Sequence, residues 1–181
     1  EKDARLSEEL YSSHPSNVGF KNGLAISYSK LGGTHSSLGN LQLALAYFEK
    51  DARLSEELYS SHPSNVGFKN GLAISYSKLG GTHSSLGNLQ LALEYFEKRS
   101  RLGEELYSSH PNNVDFKNGL AISYMKLFQI SIQLGDFERG IENLLKGGKL
   151  FEELARAFPM HVEFVRNYEN TKKILDMLKG G

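Results

Sequence analysis

No cysteine occurs among the 181 residues, which excludes a disulfide frame and any thiolate metal site. Neither charge sign is in excess, because 21 basic residues meet 21 acidic ones and the sequence pI is about 7.3. The basic stripe expected of a nucleic-acid or anionic-membrane partner is therefore missing. No apolar run approaches the roughly 18 residues of a membrane span, and no signal peptide opens the chain, so the expected location is cytoplasmic. The motifs that carry most recognisable chemistry (P-loop, G-x-G-x-x-G, H-E-x-x-H) do not occur either. Proline is sparse, and its four residues stand at 15, 63, 111 and 159.

That interval of 48 is the main positive feature of the chain. Residues 2–49 and 50–97 differ only at Ala46 against Glu94. Residues 98–145 keep 27 of the 48, and a fourth copy from Lys146 drifts further. Such periodicity means a stack of like units, each burying its apolar face against its neighbours. Glu1 corresponds to Glu49, inside a helix, as expected of a fragment of a longer protein.

Each unit reads as two helices, A and B. Phe20, Leu24, Tyr28, Leu31, His35 and Leu38 are spaced by four, four, three, four and three, which sets them on one helical stripe. Gly39 suits the left-handed residue just past a helix end, and Asn40 suits the N-cap of the next helix. A second stripe runs from Leu41 through Ala44, Leu45, Phe48, Ala52 and Leu58, with Tyr59 beside it. Pro63 ends helix B, and Ser64 or Asn65 caps its successor. Helices of about 20 residues joined by such short turns pack antiparallel. No stretch shows the period-two alternation of a strand, so the expected fold class is all-α.

At these positions the sequence resembles the tetratricopeptide repeat. Tyr28, Leu31-Gly32, His35, Ala44 and Phe48 fall at the family's spacing, and Tyr76, Leu79-Gly80, His83, Ala92 and Phe96 repeat it. The usual unit has about 34 residues, and this one is longer, as if each helix had gained a heptad. Long-helix arrays of this kind are similar to those of kinesin light chain and bacterial signalling proteins. The third copy departs most, with Phe128, Ser131, Gly140 and Leu144 at the positions of Gly32, His35, Ala44 and Phe48. The resemblance implies an α-solenoid of helix-turn-helix units wound into a right-handed superhelix. In that register 1–16 is the second half of a helix B, and 17–64, 65–112 and 113–160 are three repeats. Residues 161–181 form a capping helix with Arg166, Lys172, Lys173 and Lys179 on it and Gly180-Gly181 closing it.

Helix A carries Gly19, Gly23, Gly32 and Gly33, each about 1 kcal/mol worse than alanine inside a helix. Close helix approach accounts for Gly32 but hardly for all four. The third copy has Asp115, Phe128 and Gln129 instead and keeps only Gly119. Amide exchange is therefore expected to be faster in helix A of the first two units than in the third. Equal protection in all three would contradict this.

Candidate chemistry is thin. His35 and His83 occupy stripe positions and are expected as packed core histidines, whereas His14, His62 and His110 precede prolines at solvated helix ends. No spacing brings further ligands to them, so no metal and no cofactor are expected. Glu pairs at 8–9, 56–57, 104–105 and 152–153 read as surface charge, with Arg53 and Arg101 as i,i+4 partners of Glu57 and Glu105. Lys146-Gly147-Gly148-Lys149 falls inside helix B in register, marking close packing or a kink rather than a phosphate loop. No catalytic residue is proposed.

The other face of helix A is more useful. In the family it lines the concave surface that holds extended peptides or partner helices. Here it reads Asn22, Ile26, Ser29, Gly33, Ser36 and Ser37, then Asn70, Ile74, Ser77, Gly81, Ser84 and Ser85. In the third copy it becomes Asn118, Ile122, Met125, Gln129, Ile132 and Gln133. Asparagine both donates to and accepts from a peptide backbone, so the ladder at 22, 70 and 118 suits an extended chain. Met125 and Ile132 would add an apolar end, while Lys21, Lys69 and Lys117 would favour an acidic ligand from the rim. The small residues equally relax packing between adjacent A helices.

The leading expectation is a non-enzymatic scaffold binding a peptide or protein segment, with no nucleic-acid or membrane partner. The alternatives are an array stacking end to end, with homo-association through the open face of Leu6, Leu10 and Tyr11, or the regulatory arm of a larger signalling enzyme.

Overall fold

The computed structural model describes residues 2–179, with side chains described for 5–178; Lys179 beyond its backbone, Gly180 and Gly181, assigned above to the cap, lie outside them. The helices in chain order are α1 (Lys2–Ser13), α2 (Val18–Ser37), α3 (Leu41–Ser61), α4 (Val66–Ser85), α5 (Leu89–Ser109), α6 (Val114–Gln133), α7 (Phe137–Ala157) and α8 (Val162–Lys179). No strand occurs among the described residues. The fold class is an all-α solenoid of helical repeats, in which α2, α4 and α6 are A helices and α3, α5 and α7 are B helices. Two compact units divide the chain, Glu1–Arg99 and Ser100–Gly181, and the division falls inside α5.

Local chemistry sets the helix ends. The Oδ1 atoms of Asn17, Asn65 and Asn113 accept from the amides of Phe20, Phe68 and Phe116 at 3.0 Å, so asparagine rather than serine caps each A helix. At the other end Gly39 turns to φ +78°. The Asn40 amide then reaches the His35 carbonyl at 2.9 Å, and the Gly39 amide reaches that of Ser36 at 3.0 Å. This pair of bonds is a Schellman motif. Asn40 stands at the N-cap of α3 but its side chain makes no capping bond. Asp136, at the same position in the third copy, does cap with its side chain and accepts from the Arg139 amide at 3.1 Å.

In the first unit α1 packs on α2, α2 on α3 and α3 on α4. Leu24, Ala25, Tyr28 and Leu54 form one core cluster with Tyr11 and Tyr47 at its edge. Ala44, Phe48, Ala52 and Leu79 form a second, edged by Leu45, Tyr76 and Tyr95. Leu38, expected on the helix A stripe, is exposed because it is the C-cap and has turned out of the stripe. In the second unit α6 packs on α7 and α7 on α8. Ala121, Phe151, Leu154 and Phe164 are its core, with Met125, Leu150 and Tyr168 against them.

The glycines of helix A divide by space. A Cβ on Gly32 would lie 2.5 Å from the Phe48 ring, and one on Gly80 would lie 2.8 Å from Phe96, so both are close-approach positions. A Cβ on Gly33 would meet nothing within 4 Å. Gly33→Ala is therefore expected to stabilise the chain by about 1 kcal/mol, the helix-propensity difference, read as a raised denaturation midpoint. A lowered midpoint would show that Gly33 has a packing role.

Candidate functional site

In the first unit the A-helix face is displayed by α2 and α4. Ile26 and Ile74 occupy the same register position and are 47% and 44% exposed. Asn22, Ser29, Gly33 and Ser36 on α2 are half-buried, as are Asn70, Ser77, Gly81 and Ser84 on α4. The face is thus a shallow polar strip of small side chains with an isoleucine standing out of it at each repeat.

Beneath the strip lies a polar cluster centred on Asp51 of α3, which is 3% exposed. Its Oδ2 accepts from Ser29 of α2 at 2.7 Å and from Ser75 of α4 at 2.9 Å. Its Oδ1 accepts from Ser55 at 3.2 Å. Lys78 of α4 donates to the Ser29 hydroxyl at 2.7 Å. Burial holds the Asp51 carboxyl above its usual range, against the opposing pull of Ser29, Ser75, Lys78 and Ser55. Three helices are tied through one carboxylate. Ser29, mapped above as a ligand contact, is therefore engaged internally as donor and acceptor. In the next copy the register position of Asp51 holds Arg99, which burial drives below the usual arginine range and whose Nη1 finds no partner.

The second unit replaces this polar tie with apolar packing. Gly147 stands at the position of Asp51, and a Cβ there would lie 3.2 Å from the Ala121 carbonyl and 3.2 Å from Met125 Sδ. Met125, at the position of Ser29, packs against Phe151, Leu154 and Phe164, with the Thr171 hydroxyl 3.9 Å from its sulfur. Ile132 sits where a Gly140 side chain would clash at 2.7 Å. Gly147 and Gly140 are close-packing glycines, and much of the expected apolar groove end is used in helix packing. Ile122 is half-buried against the same core. Gln129 and Gln133 are exposed, and Asn118 has a buried Oδ1 without a hydrogen-bond partner.

A second feature lies on the other side of helix A and escaped the sequence reading. The Tyr28 hydroxyl donates to Glu8 at 2.8 Å, Tyr76 to Glu56 at 2.9 Å and Tyr124 to Glu104 at 2.8 Å. Lys50, Lys98 and Lys146 lie 5.0, 5.5 and 5.8 Å from the centres of the same rings. Burial and then the bond to Glu8 push the Tyr28 hydroxyl up to about 12, and Tyr76 and Tyr124 are raised for the same reasons. Lys21 joins Glu57 at 2.8 Å and Lys117 joins Glu153 at 2.7 Å, over the rings of Tyr11 and Tyr107. Glu57 therefore pairs with Lys21 on the next-door helix, and not with Arg53. Lys21 and Lys117 are held by these bonds and are not free at the rim of the A face. In the second unit this side includes a cavity of about 360 Å³ lined by Glu104, Tyr107, Tyr124, Lys146, Lys149 and Glu153. The spacing of Glu, Tyr and Lys at −20, 0 and +22 was present in the sequence. Only the packing of successive helices turns it into contact.

His83 is buried and stacks on Tyr95 with ring centres 5.5 Å apart, and His35 stacks likewise on Tyr47. His14, His62 and His110 are exposed and meet Phe20, Phe68 and Phe116 edge-on. Among the described residues no group of three or more His, Asp or Glu side chains is arranged to hold a metal ion. No helix there is long and apolar enough to cross a membrane.

Residues 24–64 and 72–112 each match the tetratricopeptide repeat family model. These two segments are tetratricopeptide repeats. Each matched segment runs from the buried leucine of helix A to the turn after helix B, so it includes the Gly32–Phe48 or Gly80–Phe96 contact. Among solved structures the chain is similar to BtubC (BKLC) from P. vanneervenii, with TM-score 0.60 and 15% identity over 94% of this chain and 68% of that one. It is also similar to MamA, with TM-score 0.50 and 17% identity over 98% of this chain and 90% of that one. At such identities the likeness shows the fold. A search of curated proteins finds no match to the sequence. Tetratricopeptide repeats are in general protein-interaction scaffolds.

Proposed function

We propose that the chain holds an extended peptide or protein segment along the A-helix face, acting by binding alone. The observation that carries this reading is the exposed pair Ile26 and Ile74, one per repeat, on a strip otherwise built of small and amide side chains. A large apolar side chain kept in water at a repeated position suits a ligand that buries it. Asn22 and Asn70 supply backbone-competent amides in the same strip, with Ser36, Ser77 and Ser84 widening it. Ser29 and Met125 support the face from within. Near-identical repeats present near-identical subsites, which favours a repetitive ligand through multivalency.

Selection of a displayed peptide library on the chain tests this, with Ile26→Glu/Ile74→Glu and Asn70→Ala as paired variants. Selected peptides are expected to lose at least tenfold in affinity on the double isoleucine variant, about 1.4 kcal/mol. Equal binding to parent and variants would refute the assignment of this face.

A further inference from the structure

The cavity of about 360 Å³ in the second unit is lined by α5, α6 and α7. Its volume is that of a small-molecule site. Leu120, Leu150, Tyr107 and Tyr124 supply its apolar lining, Leu120 buried and the other three half-buried. Two features set the third copy apart here. Leu150 is only half-buried, whereas its counterparts Leu54 and Leu102 are buried. Lys149 stands where the other copies have Arg53 and Arg101. Burial and the Glu8 bond raise the Tyr28 hydroxyl, and the Arg53 guanidinium lies close enough to oppose them. Lys149 exerts no such pull on Tyr124.

The charges of the cavity divide into those already engaged and those still free. Lys146 donates to Glu142 at 2.7 Å and lies 5.8 Å from the centre of the Tyr124 ring. Glu153 accepts from Lys117 at 2.7 Å. Glu104 accepts from the Tyr124 hydroxyl through Oε1, which leaves its Oε2 without a bond to any described residue. Lys149 bonds to no described residue at all. Glu104 on α5 and Lys149 on α7 are both exposed in the wall of one cavity, yet they do not pair with each other. The cavity therefore holds one acidic and one basic group in reserve beside an apolar lining. A ligand of a single charge sign would match one of the two and face the other unpaired. A ligand with both charges and an apolar body matches all three features.

We propose that this cavity binds a free amino acid with an apolar side chain. Its ammonium group donates to Glu104 and its carboxylate accepts from Lys149, both as charge-assisted hydrogen bonds. Its side chain lies against Leu120, Leu150 and the tyrosine rings. No residue of the A face takes part, so failure of this site leaves the peptide-binding reading untouched.

Chemical-shift titration of the full chain with L-phenylalanine and with L-leucine tests the proposal. Perturbations are expected at Leu120, Tyr124 and Leu150 with both, and none with L-serine, which lacks the apolar body. N-acetyl-L-phenylalanine and L-phenylalanine amide are each expected to bind at least about tenfold more weakly than the free amino acid. Glu104→Gln keeps an acceptor for the Tyr124 hydroxyl and Lys149→Met changes an exposed side chain. Each variant is expected to weaken L-phenylalanine by about the same factor. Glu104→Gln should leave the weak binding of the N-acetyl compound unchanged, and Lys149→Met that of the amide, because each has already lost the group in question. No perturbation with either amino acid, perturbations elsewhere, capped compounds that bind as well as the free amino acid, or variants that bind like the parent would each overturn the proposal.

Discussion

Replacing Asp51 with leucine is expected to cost the first unit about 3 kcal/mol, within the range for removing one member of a buried charged network. The cost arises because Ser29, Ser55 and Ser75 lose their common acceptor while staying covered. A fall in the urea midpoint, together with faster amide exchange in α2, α3 and α4, is the expected readout. An unchanged midpoint would mean that the three-helix tie is energetically idle. Its pH dependence has a definite sign. Burial raises the Asp51 pKa above 3.8 in the folded chain, so folding binds a proton more tightly at this site. That contribution is complete below the unfolded value and is lost as pH rises through the folded one. Asp51→Asn removes the titration. The stability of the variant minus that of the parent is therefore expected to increase as pH rises from about 4, then level off above the folded pKa. A difference that falls over the same window would mean that the serines and Lys78 outweigh burial.

Phe48→Ala is expected to be costlier, about 3–5 kcal/mol as for other buried phenylalanines. The ring lies against Gly32 and is buried in one cluster with Ala44, Ala52 and Leu79. Gly32→Ala alone drives a methyl to 2.5 Å from that ring and is expected to cost about 1–3 kcal/mol by overpacking. The two together are expected to cost less than their sum by at least about 1 kcal/mol, because the added methyl enters the vacated space. Additive costs in denaturant melts of the four proteins would show that the residues are not packed on one another. The third copy has already made a matched exchange, with Phe128 and Leu144 at these positions.

Helix order, the left-handed Gly39 turn and the small-residue contact were legible in the sequence, whereas the side-chain cap expected of Asn40 is not made. Asn17 and Gly39 act through bonds that span only a few residues, and the Gly32–Phe48 spacing belongs to a well-defined repeat pattern. Asp51 was not legible. On a helical wheel it is one more charged residue of helix B, and its burial depends on serines 22 and 24 positions away on two other helices. Lys21 was misread for the same reason, since its partner Glu57 lies 36 residues on, across the helix pair. Polar side chains that bond across successive helices carry no local periodicity. Apolar ones do, which is why the core was readable while the supports of the A face were not.

The central claim is that the A-helix face is the working surface, and amide chemical-shift mapping of the chain with a selected peptide tests it most directly. The account predicts perturbations concentrated on Asn22, Ile26, Asn70 and Ile74 and abolished by Ile26→Glu/Ile74→Glu. Perturbations centred instead on Glu8, Tyr28 and Lys50, or on Glu104, Tyr124 and Lys146, would contradict it and assign the ligand to the opposite side of helix A.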